Sequence, residues 1–390
     1  MADLRIGVIG SGGRGGLARY AHRPAEGSFV TACCDTDERV FERNKDWYGK
    51  DIFTTSDYRE LLSQDLDAVF VTTPDFLHEE HAVAALQAGK AVYLEKPMAI
   101  TIAGCDRILQ TAKDTDSKLY VGHNMRHFAV ILKMKELIDS GAIGEVKTAW
   151  CRHFVSYGGD AYFKDWHADR RRSTGLLLQK GAHDIDVLHW LCGGYTKRVT
   201  AMGALTLYDQ IDDRHTEAER GDASFRRENW PPLSQKGLNP VLDVEDVSMV
   251  LMELDNGILA SYQQCHYTPD AWRNYTVIGT EGRIENFGDG IGENTCVRLW
   301  NTRSDHYDPQ SAQVFELPHL VGSHGGGDPS IVAEFLRYVR EGGTTKTSPI
   351  AARYAVAAGY QATMSLRNGS VPQEIPPVAK DLRGYFLQRK

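Results

Sequence analysis

The 390-residue sequence has few of the features that mark membrane, secreted or nucleic-acid-binding proteins. No apolar run approaches the length of a membrane-spanning helix, and no hydrophobic signal region stands at its start. Its seven cysteines are scattered, with neither a disulfide framework nor zinc-ligand spacing, so we predict no metal site. The net charge of −8 disfavours nucleic acid as a partner. We therefore expect a cytoplasmic protein that contacts neither membranes nor nucleic acids.

The rest of the composition is typical of a globular protein. Hydrophobic residues make up 42% of the chain and charged residues 25%. The chain has no internal repeats, and its length is sufficient for two domains that each bury a core.

A glycine-rich turn follows the first strand pattern. The apolar residues of Leu4–Ile9 predict a buried parallel strand, and Gly10–Gly15 then fits G-x-G-x-x-G. Such glycines allow a tight turn, a close approach to a pyrophosphate and close helix packing, while a helix starting near Leu17 offers N–H groups to phosphates. The alternative is a strand–turn–helix unit without a cofactor. We predict a dinucleotide-binding Rossmann fold with cofactor contacts at Gly10, Gly12, Gly13, Arg14 and Gly15.

An acidic residue follows the second strand pattern. Phe29–Cys34 leads into Asp35, about 20 residues after Gly15, where a dinucleotide fold places the acid that binds ribose hydroxyls. Thr36 and Asp37 follow, with no arginine directly after them. An acidic strand end repels the 2′-phosphate of NADP, so we predict NAD as the cofactor.

Two later strand patterns also end in polar residues. Asp67–Val71 leads into Thr72, Thr73 and Pro74, and Ala91–Leu94 leads into Glu95, Lys96 and Pro97. Ligands of an open parallel sheet bind beyond the carboxyl ends of its strands, so we predict that these residues face the cofactor. His78, in the next helix, either touches the cofactor or has a capping or packing role. Lys96 at a strand end is well placed to polarise a hydroxyl or carbonyl oxygen.

The order of these motifs resembles the Gfo/Idh/MocA family of NAD(P)-dependent sugar and cyclitol oxidoreductases, over nearly the whole chain. The resemblance implies that Lys96 lies between nicotinamide and substrate, that the bond before Pro97 is commonly cis, and that Asn124 contacts the cofactor and Arg126 the substrate. It also implies an N-terminal Rossmann domain with a doubly wound parallel sheet and a C-terminal α/β domain with a large, mainly antiparallel open sheet. We place these domains at 1–126 and 127–375, with a tail at 376–390, and expect a homodimer or homotetramer through the C-terminal sheet.

A second candidate catalytic stretch runs from Gly175 to Asp186. In the family it reads G-x-L-x-D-x-G-x-H-x-x-D, whose histidine is the usual acid/base, and His183 matches it. A neutral imidazole can take a hydroxyl proton near pH 7; the alternative is a buried structural histidine. The family's aspartate is Gln179 here, and Lys180 follows, either as a replacement cation near the reacting oxygen or as a solvated residue. We count Lys180 with Lys96 and His183 as catalytic, and Gln179 and Asp184 as substrate contacts.

A basic loop with interleaved aromatic residues precedes this stretch. We predict substrate contacts from Tyr157, Lys164, Trp166 and His167, in a run that continues to Arg170–Arg172. One interpretation is a solvated charged loop; the other is recognition of a carboxylate or sulfonate on a sugar. Residues 209–240 are predicted to be a long polar insertion. The glycine-rich segment His324–Asp328 is either a sugar-contact or inter-domain loop, as the resemblance implies, or a helix-capping turn.

Three functional hypotheses remain open on the sequence. The first is an NAD-dependent dehydrogenase that oxidises a secondary hydroxyl of a pyranose, sugar derivative or cyclitol. The second, on the same site, is an NAD-dependent glycosidase of an anionic glycoside, which oxidises C3, eliminates the aglycone, adds water and reduces the sugar again. The third is a non-catalytic redox-sensing or binding protein, which the intact Glu95-Lys96-Pro97 and His183 disfavour.

Overall fold

The computed structural model describes residues 3–216, 221–289, 295–318 and 323–388. The strands in chain order are β1 (Leu4–Ile9), β2 (Ser28–Cys34), β3 (Phe53–Thr55), β4 (Ala68–Val71), β5 (Ala91–Leu94), β6 (Leu119–Val121), β7 (Val146–Phe154), β8 (Thr196–Ala204), β9 (Val247–Leu254), β10 (Leu259–Cys265), β11 (Trp272–Gly279), β12 (Arg283–Phe287), β13 (Cys296–Trp300), β14 (Gln313–Glu316) and β15 (Gln373–Glu374). The α-helices are α1 (Phe41–Tyr48), α2 (Tyr58–Leu62), α3 (His78–Gln87), α4 (Ile102–Asp114), α5 (Ala129–Asp139), α6 (Gly158–Tyr162), α7 (Arg170–Ser173), α8 (Leu176–Gln179), α9 (Gly181–Cys192), α10 (Gly327–Glu341), α11 (Pro349–Arg367) and α12 (Lys380–Gln388).

The described residues form two compact units. The first unit comprises the described parts of Met1–His127, Val321–Arg353 and Val378–Lys390; the second comprises those of Phe128–Leu320 and Tyr354–Pro377. Residues 323–353 and 378–388 thus belong to the same unit as the N-terminal sheet, whereas the predicted ranges assigned them to the second domain and to a tail.

The sheet of the first unit has six parallel strands in the order β3-β2-β1-β4-β5-β6. This is the Rossmann order with its reversal between β1 and β4, where a cofactor is expected to bind. The central strands β4 and β5 consist of buried apolar and aromatic residues, as in a sheet covered on both faces. The predicted doubly wound parallel sheet is confirmed.

A helix follows the glycine-rich turn, as predicted. It spans Arg14–Ala21, begins three residues before Leu17 and is a 3₁₀ helix. Gly15 and Gly16 are adjacent within it, and glycine is among the poorest α-helix formers. Leu17, Ala18 and Ala21 still bury their side chains in a core shared with β1, β4 and α10.

The sheet of the second unit has nine strands in the order β14-β13-β12-β11-β7-β10-β9-β8-β15. All of its neighbours pair antiparallel except β7 and β10, which are parallel. The predicted large, mainly antiparallel sheet is therefore confirmed. Strands β9 and β10 form a hairpin that turns at Asn256-Gly257. Helix α9, with the candidate His183, packs against β7 and β10.

The predicted insertion at 209–240 contains only short 3₁₀ segments among its described residues, 209–216 and 221–240. It is nevertheless packed: Ile211 and Leu238 share an apolar cluster with Val155 and Phe163. The insertion thus lies against the basic, aromatic loop of the second unit. Across the described ranges of the chain, no helix is both long and apolar enough to cross a membrane.

Candidate active site

The glycine-rich turn of the first unit is tightly packed against the backbone around it. Gly10 has φ +84°, and a Cβ there would lie 2.8 Å from the backbone nitrogen of Thr73. A Cβ on Gly15 would overlap the carbonyl oxygen of Gly10. At Gly13, in contrast, a Cβ would meet no atom within 4 Å. The turn is thus closed on its protein side and open at Gly13.

Asp35, at the end of β2, is tied to this turn. Its carboxylate oxygens accept hydrogen bonds from the backbone N–H of Gly12 at 2.7 Å and of Asp37 at 3.0 Å. The acid is therefore held in one orientation beside the turn, as recognition of ribose hydroxyls requires. The predicted contact of Asp35 with ribose remains a prediction.

The threonine–proline corner after β4 is connected to the turn and to the lysine-bearing loop. Thr72 donates a hydrogen bond to the Gly10 carbonyl oxygen at 2.9 Å. The His78 ring lies between the carbonyl oxygens of Pro97, at 2.7 Å from Nδ1, and Thr73, at 2.8 Å from Nε2. His78 is 1% exposed, so the structure favours the packing alternative over the predicted cofactor contact. Its position joins two loops that the cofactor is predicted to touch.

Arg14 connects the turn to Glu95. Its Nε lies 2.5 Å from a Glu95 oxygen, and its two terminal nitrogens lie 2.6 and 2.9 Å from the Asp328 carboxylate. The other Glu95 oxygen accepts the backbone N–H of Lys96 at 2.9 Å. The Lys96–Pro97 peptide bond is cis. The Arg14 guanidinium is thus paired with two carboxylates. This pairing opposes a cofactor contact through the Arg14 side chain, but not one through its backbone.

Asp328 is the residue of the first unit that sequence reasoning missed. Besides Arg14, it accepts hydrogen bonds from Asn124 at 2.9 Å and from Ser323 at 2.7 Å, and the His324 ring nitrogen lies 2.8 Å away. Burial raises its pKa, but these donors and Arg14 bring the pKa far below its usual value. Its glycine-rich segment was visible in the sequence; its partner Arg14, 314 positions away, was not.

Two other predicted contacts lie in the first unit. The Asn124 side chain is 2% exposed and holds Asp328. Arg126 is 5% exposed and donates to the Lys346 carbonyl oxygen at 2.7 Å. Both side chains hydrogen-bond other residues of the first unit. The position of Arg126 is therefore explained by its bond to Lys346.

In the second unit, Asp184 is the centre of a buried polar cluster. Arg273 Nε lies 2.9 Å from its carboxylate, the hydroxyls of Tyr275 and Tyr262 lie at 2.5 and 3.1 Å, and His153 Nδ1 lies at 3.2 Å. Burial alone raises its pKa, but Arg273 and the other donors lower it well below the usual value. With no exposed surface, Asp184 anchors α9 to the sheet. Its role as a substrate contact stays a prediction.

His183 and Lys180 share the start of α9 with Asp184. His183 is 8% exposed, and Gln179 at the end of α8 is 5% exposed. The Lys180 ammonium lies 5.4 Å from the ring centre of Tyr157 and 5.2 Å from that of Tyr162. Burial and Arg273 lower the Lys180 pKa to about 7, against the opposing effect of Asp184 and Asp289.

The cations of the basic loop carry their own counter-ions. Lys164 lies 2.9 Å from Asp160, Arg170 lies 2.9 Å from Asp243, and Arg171 lies 2.6 Å from Asp169. The His167 ring is bonded to Asp165 and stacked on Trp166, with ring centres 3.7 Å apart. The loop is therefore charge-compensated, and the pairing of Lys164 opposes its predicted role in binding an anionic substituent.

The residues present suit a nicotinamide dinucleotide. A Cβ at Gly10 or Gly15 would collide with the backbone that forms the turn, and Asp35 has a fixed carboxylate beside it. A cavity of about 630 Å³ in the first unit is lined by Gly13, Arg14 and Asp328. Among the residues that the structure describes, no group of three or more His, Cys, Asp or Glu side chains is arranged to hold a metal ion.

These features define a class, the oxidoreductases with an NAD-binding Rossmann domain. Comparison of sequences shows the family: the NAD-binding Rossmann fold of the Gfo/Idh/MocA oxidoreductases matches residues 4–123, and the C-terminal alpha/beta domain of the same family matches residues 135–375. The chain belongs to the Gfo/Idh/MocA oxidoreductase family.

Individual relatives include both dehydrogenases and a glycosidase-type protein. The chain is 33% identical over 191 residues to the inositol 2-dehydrogenase/D-chiro-inositol 3-dehydrogenase of Shouchella clausii, covering 48% of this chain and 53% of the relative. It is 25% identical over 397 residues to a glycosyl hydrolase family 109 protein of Solibacter usitatus, covering 96% and 87%. Levoglucosan dehydrogenase, solved with NADH and levoglucosan, shares the fold with a TM-score of 0.77 at 20% identity, over 96% of this chain and 100% of that chain.

Proposed function

We propose that this protein oxidises a secondary hydroxyl of a pyranose, sugar derivative or cyclitol with NAD. The observation that carries the proposal is the connection of the glycine-rich turn to Lys96 through Arg14 and Glu95, in a chain whose family binds NAD. In a dehydrogenase, the turn that binds the cofactor and the group that polarises the substrate oxygen must keep a fixed position relative to each other. The inositol dehydrogenase relative supports a polyol or sugar as the substrate.

We assign the proton chemistry to His183 and the polarisation to Lys96. His183, near the start of α9, would take the hydroxyl proton as the carbon is oxidised, and the Lys96 ammonium would stabilise the negative charge that develops on the oxygen. NAD, when bound, accepts the hydride. Asp184 next to His183 fixes the start of α9 through Arg273, Tyr262 and Tyr275, so it positions the histidine without touching the substrate.

The test follows NADH absorbance and aglycone release in one cuvette. The protein is supplied with NAD and offered free sugars, cyclitols and chromogenic glycosides, including acidic ones. Stoichiometric NADH from a free sugar or cyclitol, with no aglycone released, is the expected result. Substitution His183→Ala should lower kcat by about 10²-fold or more while leaving the NAD dissociation constant within about twofold. Equal activity of the variant and the wild type would overturn the role of His183.

The second candidate is the NAD-dependent glycosidase, which uses the same residues. The similarity to the glycosyl hydrolase family 109 relative, which extends over 96% of this chain, supports this second candidate. In this reaction C3 is oxidised, the acidified neighbouring C–H loses its proton, the aglycone is eliminated, water adds and C3 is reduced again, so no net NADH forms. Aglycone release without NADH, abolished when NAD is stripped, would select this candidate. We also propose a homodimer or homotetramer formed through the sheet of the second unit; a cytoplasmic location remains a prediction.

A further inference from the structure

Lys180 differs from every basic residue of the loop before it. Lys164, Arg170 and Arg171 each lie within 3 Å of a carboxylate oxygen. Lys180 is 8% exposed, yet in the described part of the chain no carboxylate oxygen lies within ion-pair distance of its ammonium. What faces the ammonium is the pair of rings of Tyr157 and Tyr162. Ring faces attract a cation but neutralise none of its charge.

The nearest candidate counter-ion is already occupied. Asp184 stands four residues after Lys180, on the same side of the helix. Its carboxylate accepts hydrogen bonds from the hydroxyls of Tyr275 and Tyr262 at 2.5 and 3.1 Å, and it forms an ion pair with Arg273 at 2.9 Å. Asp289 lies 3.5 Å from Arg273 instead. Among the described residues, two carboxylates thus lie at Arg273 and none lies within ion-pair distance of the Lys180 ammonium.

A buried ammonium without a counter-ion is costly, and the chain has two ways to reduce that cost. Lys180 can lose its proton, and burial and Arg273 do bring its pKa down to about 7. A ligand can instead supply the anion, which restores the charged form and forms a charge-assisted hydrogen bond. The tyrosine rings favour binding of an anion over loss of the proton, because their faces stabilise the ammonium and not the neutral amine.

We propose that Lys180 binds the carboxylate of an acidic sugar, so that the substrates of this oxidoreductase are uronic acids or related carboxylated sugars. This inference rests on the proposed function, and it places recognition of the anion on Lys180 rather than on the basic loop. Lys164 and the loop arginines then keep the loop folded through their own ion pairs. Lys180 is a specificity-determining residue in this proposal, and His183 and Lys96 retain the chemistry.

The test compares each uronate with its uronamide, which has nearly the same shape and no charge. Glucuronate, galacturonate and their amides are measured with the wild type, Lys180→Met and Lys180→Arg. We expect the wild type to prefer the acid by roughly 10-fold or more in kcat/KM, mainly through KM, since hydrogen bonds to charged groups have about this strength. Lys180→Met should abolish the preference, and Lys180→Arg should keep most of it. Lys197→Met, an exposed lysine of β8 paired with Glu253, is the matched control and should keep the full preference.

Two outcomes would overturn the proposal. The first is a wild type without preference for the acid, or a preference that persists in Lys180→Met. The second is an equal fall in kcat for acid and amide in Lys180→Met with unchanged KM, which would place Lys180 at the reacting group. Calorimetric binding of the same pairs, made in parallel, separates this proposal from the proposed function. If no sugar yields NADH or loses an aglycone, the proposed function fails, while the binding preference and its loss in Lys180→Met still decide the role of Lys180.

Discussion

Gly10 and Gly16 stand six residues apart in the same segment, and an added methyl group would meet different surroundings at each. At Gly10 the backbone has φ +84°, and the methyl carbon would lie within 2.9 Å of the Thr72–Thr73 backbone. At Gly16 it would make an ordinary contact of 3.6 Å with the Trp47 ring. The overlap at position 10 cannot be relieved by a side-chain rotation, because the neighbouring atoms belong to the main chain.

Gly10→Ala is therefore expected to lower the free energy of unfolding by about 1–3 kcal/mol and to weaken NAD binding. Gly16→Ala, the control, should change the free energy of unfolding by less than about 1 kcal/mol, because alanine has the better helix propensity. Urea denaturation gives the first quantity, and calorimetric titration with NAD gives the second. A Gly10→Ala protein as stable as the wild type and equal to it in NAD affinity would contradict this account of the turn.

The residue scale is also where sequence reasoning about the site succeeded least. The ion pair of Lys164 with Asp160 was accessible to it, because opposite charges only four residues apart in the sequence can come close together. The pairs of Arg14 with Asp328 and of Arg273 with Asp184 were not, because their members come from distant parts of the chain. Without those pairs, Arg14 resembles a phosphate ligand and Asp184 a substrate ligand.

Among the elements, helix α10 shows how one side chain ties several segments of the first unit together. Glu334 accepts hydrogen bonds from the Tyr120 hydroxyl at 2.7 Å and from the Lys346 backbone N–H at 3.0 Å, and His127 Nε2 lies 3.4 Å away. Burial raises the pKa of Glu334, but the bonds from His127, Lys346 and Tyr120 outweigh it and lower the pKa to about 2.

A pKa that is lower in the folded than in the unfolded chain stabilises the protein while the group is ionised. This contribution is fully present above the usual glutamate value, pH 4.5, and disappears as the pH falls towards 2. Glu334→Gln should therefore lower the free energy of unfolding at pH 7 by about 1–2 kcal/mol, after allowance for solvent screening. The difference from the wild type should shrink on acidification through this range.

Urea denaturation at pH 7, 4.5 and 3 measures this convergence. Glu341→Gln, an exposed position on the same helix, serves as the control and should behave as the wild type at every pH. A Glu334→Gln deficit that stays constant from pH 7 to pH 3 would mean that packing, and not the ionised carboxylate, accounts for the loss.

Elements were more predictable than their contacts. Strands β1, β2, β4 and β5 lie within about two residues of the predicted ranges, because buried strands are apolar runs that end in turn residues. The helix after the turn was predicted without its 3₁₀ type, because hydrophobic spacing alone does not separate a 3₁₀ helix from a short α-helix. Strands β3, β8, β14 and β15 were not predicted; β3 and β15 contain only three and two residues, too few to show a pattern.

For the whole molecule, the sheet of the second unit presents an apolar surface that its own chain does not cover. Met202 on β8, Met249 and Leu251 on β9 and Leu259 on β10 are between 57% and 70% exposed. Met202 pairs with Met249 across neighbouring strands, whereas the alternate residues Val250 and Met252 are buried. Large exposed apolar patches on a sheet are typical of protein–protein interfaces.

We therefore predict that Leu251→Glu dissociates the proposed homodimer or homotetramer. In a two-fold interface one substitution occurs on both partners, so two carboxylates would face an apolar surface and each other. Leu233→Glu, which charges an exposed leucine of the insertion outside the sheet, is the control and should leave the assembly intact. Sedimentation velocity over a range of concentrations distinguishes the species. A wild type that sediments as a monomer throughout, or a Leu251→Glu protein that keeps the wild-type assembly, would show that this face is not the interface, and the apolar side chains of β8 to β10 would then require a different partner.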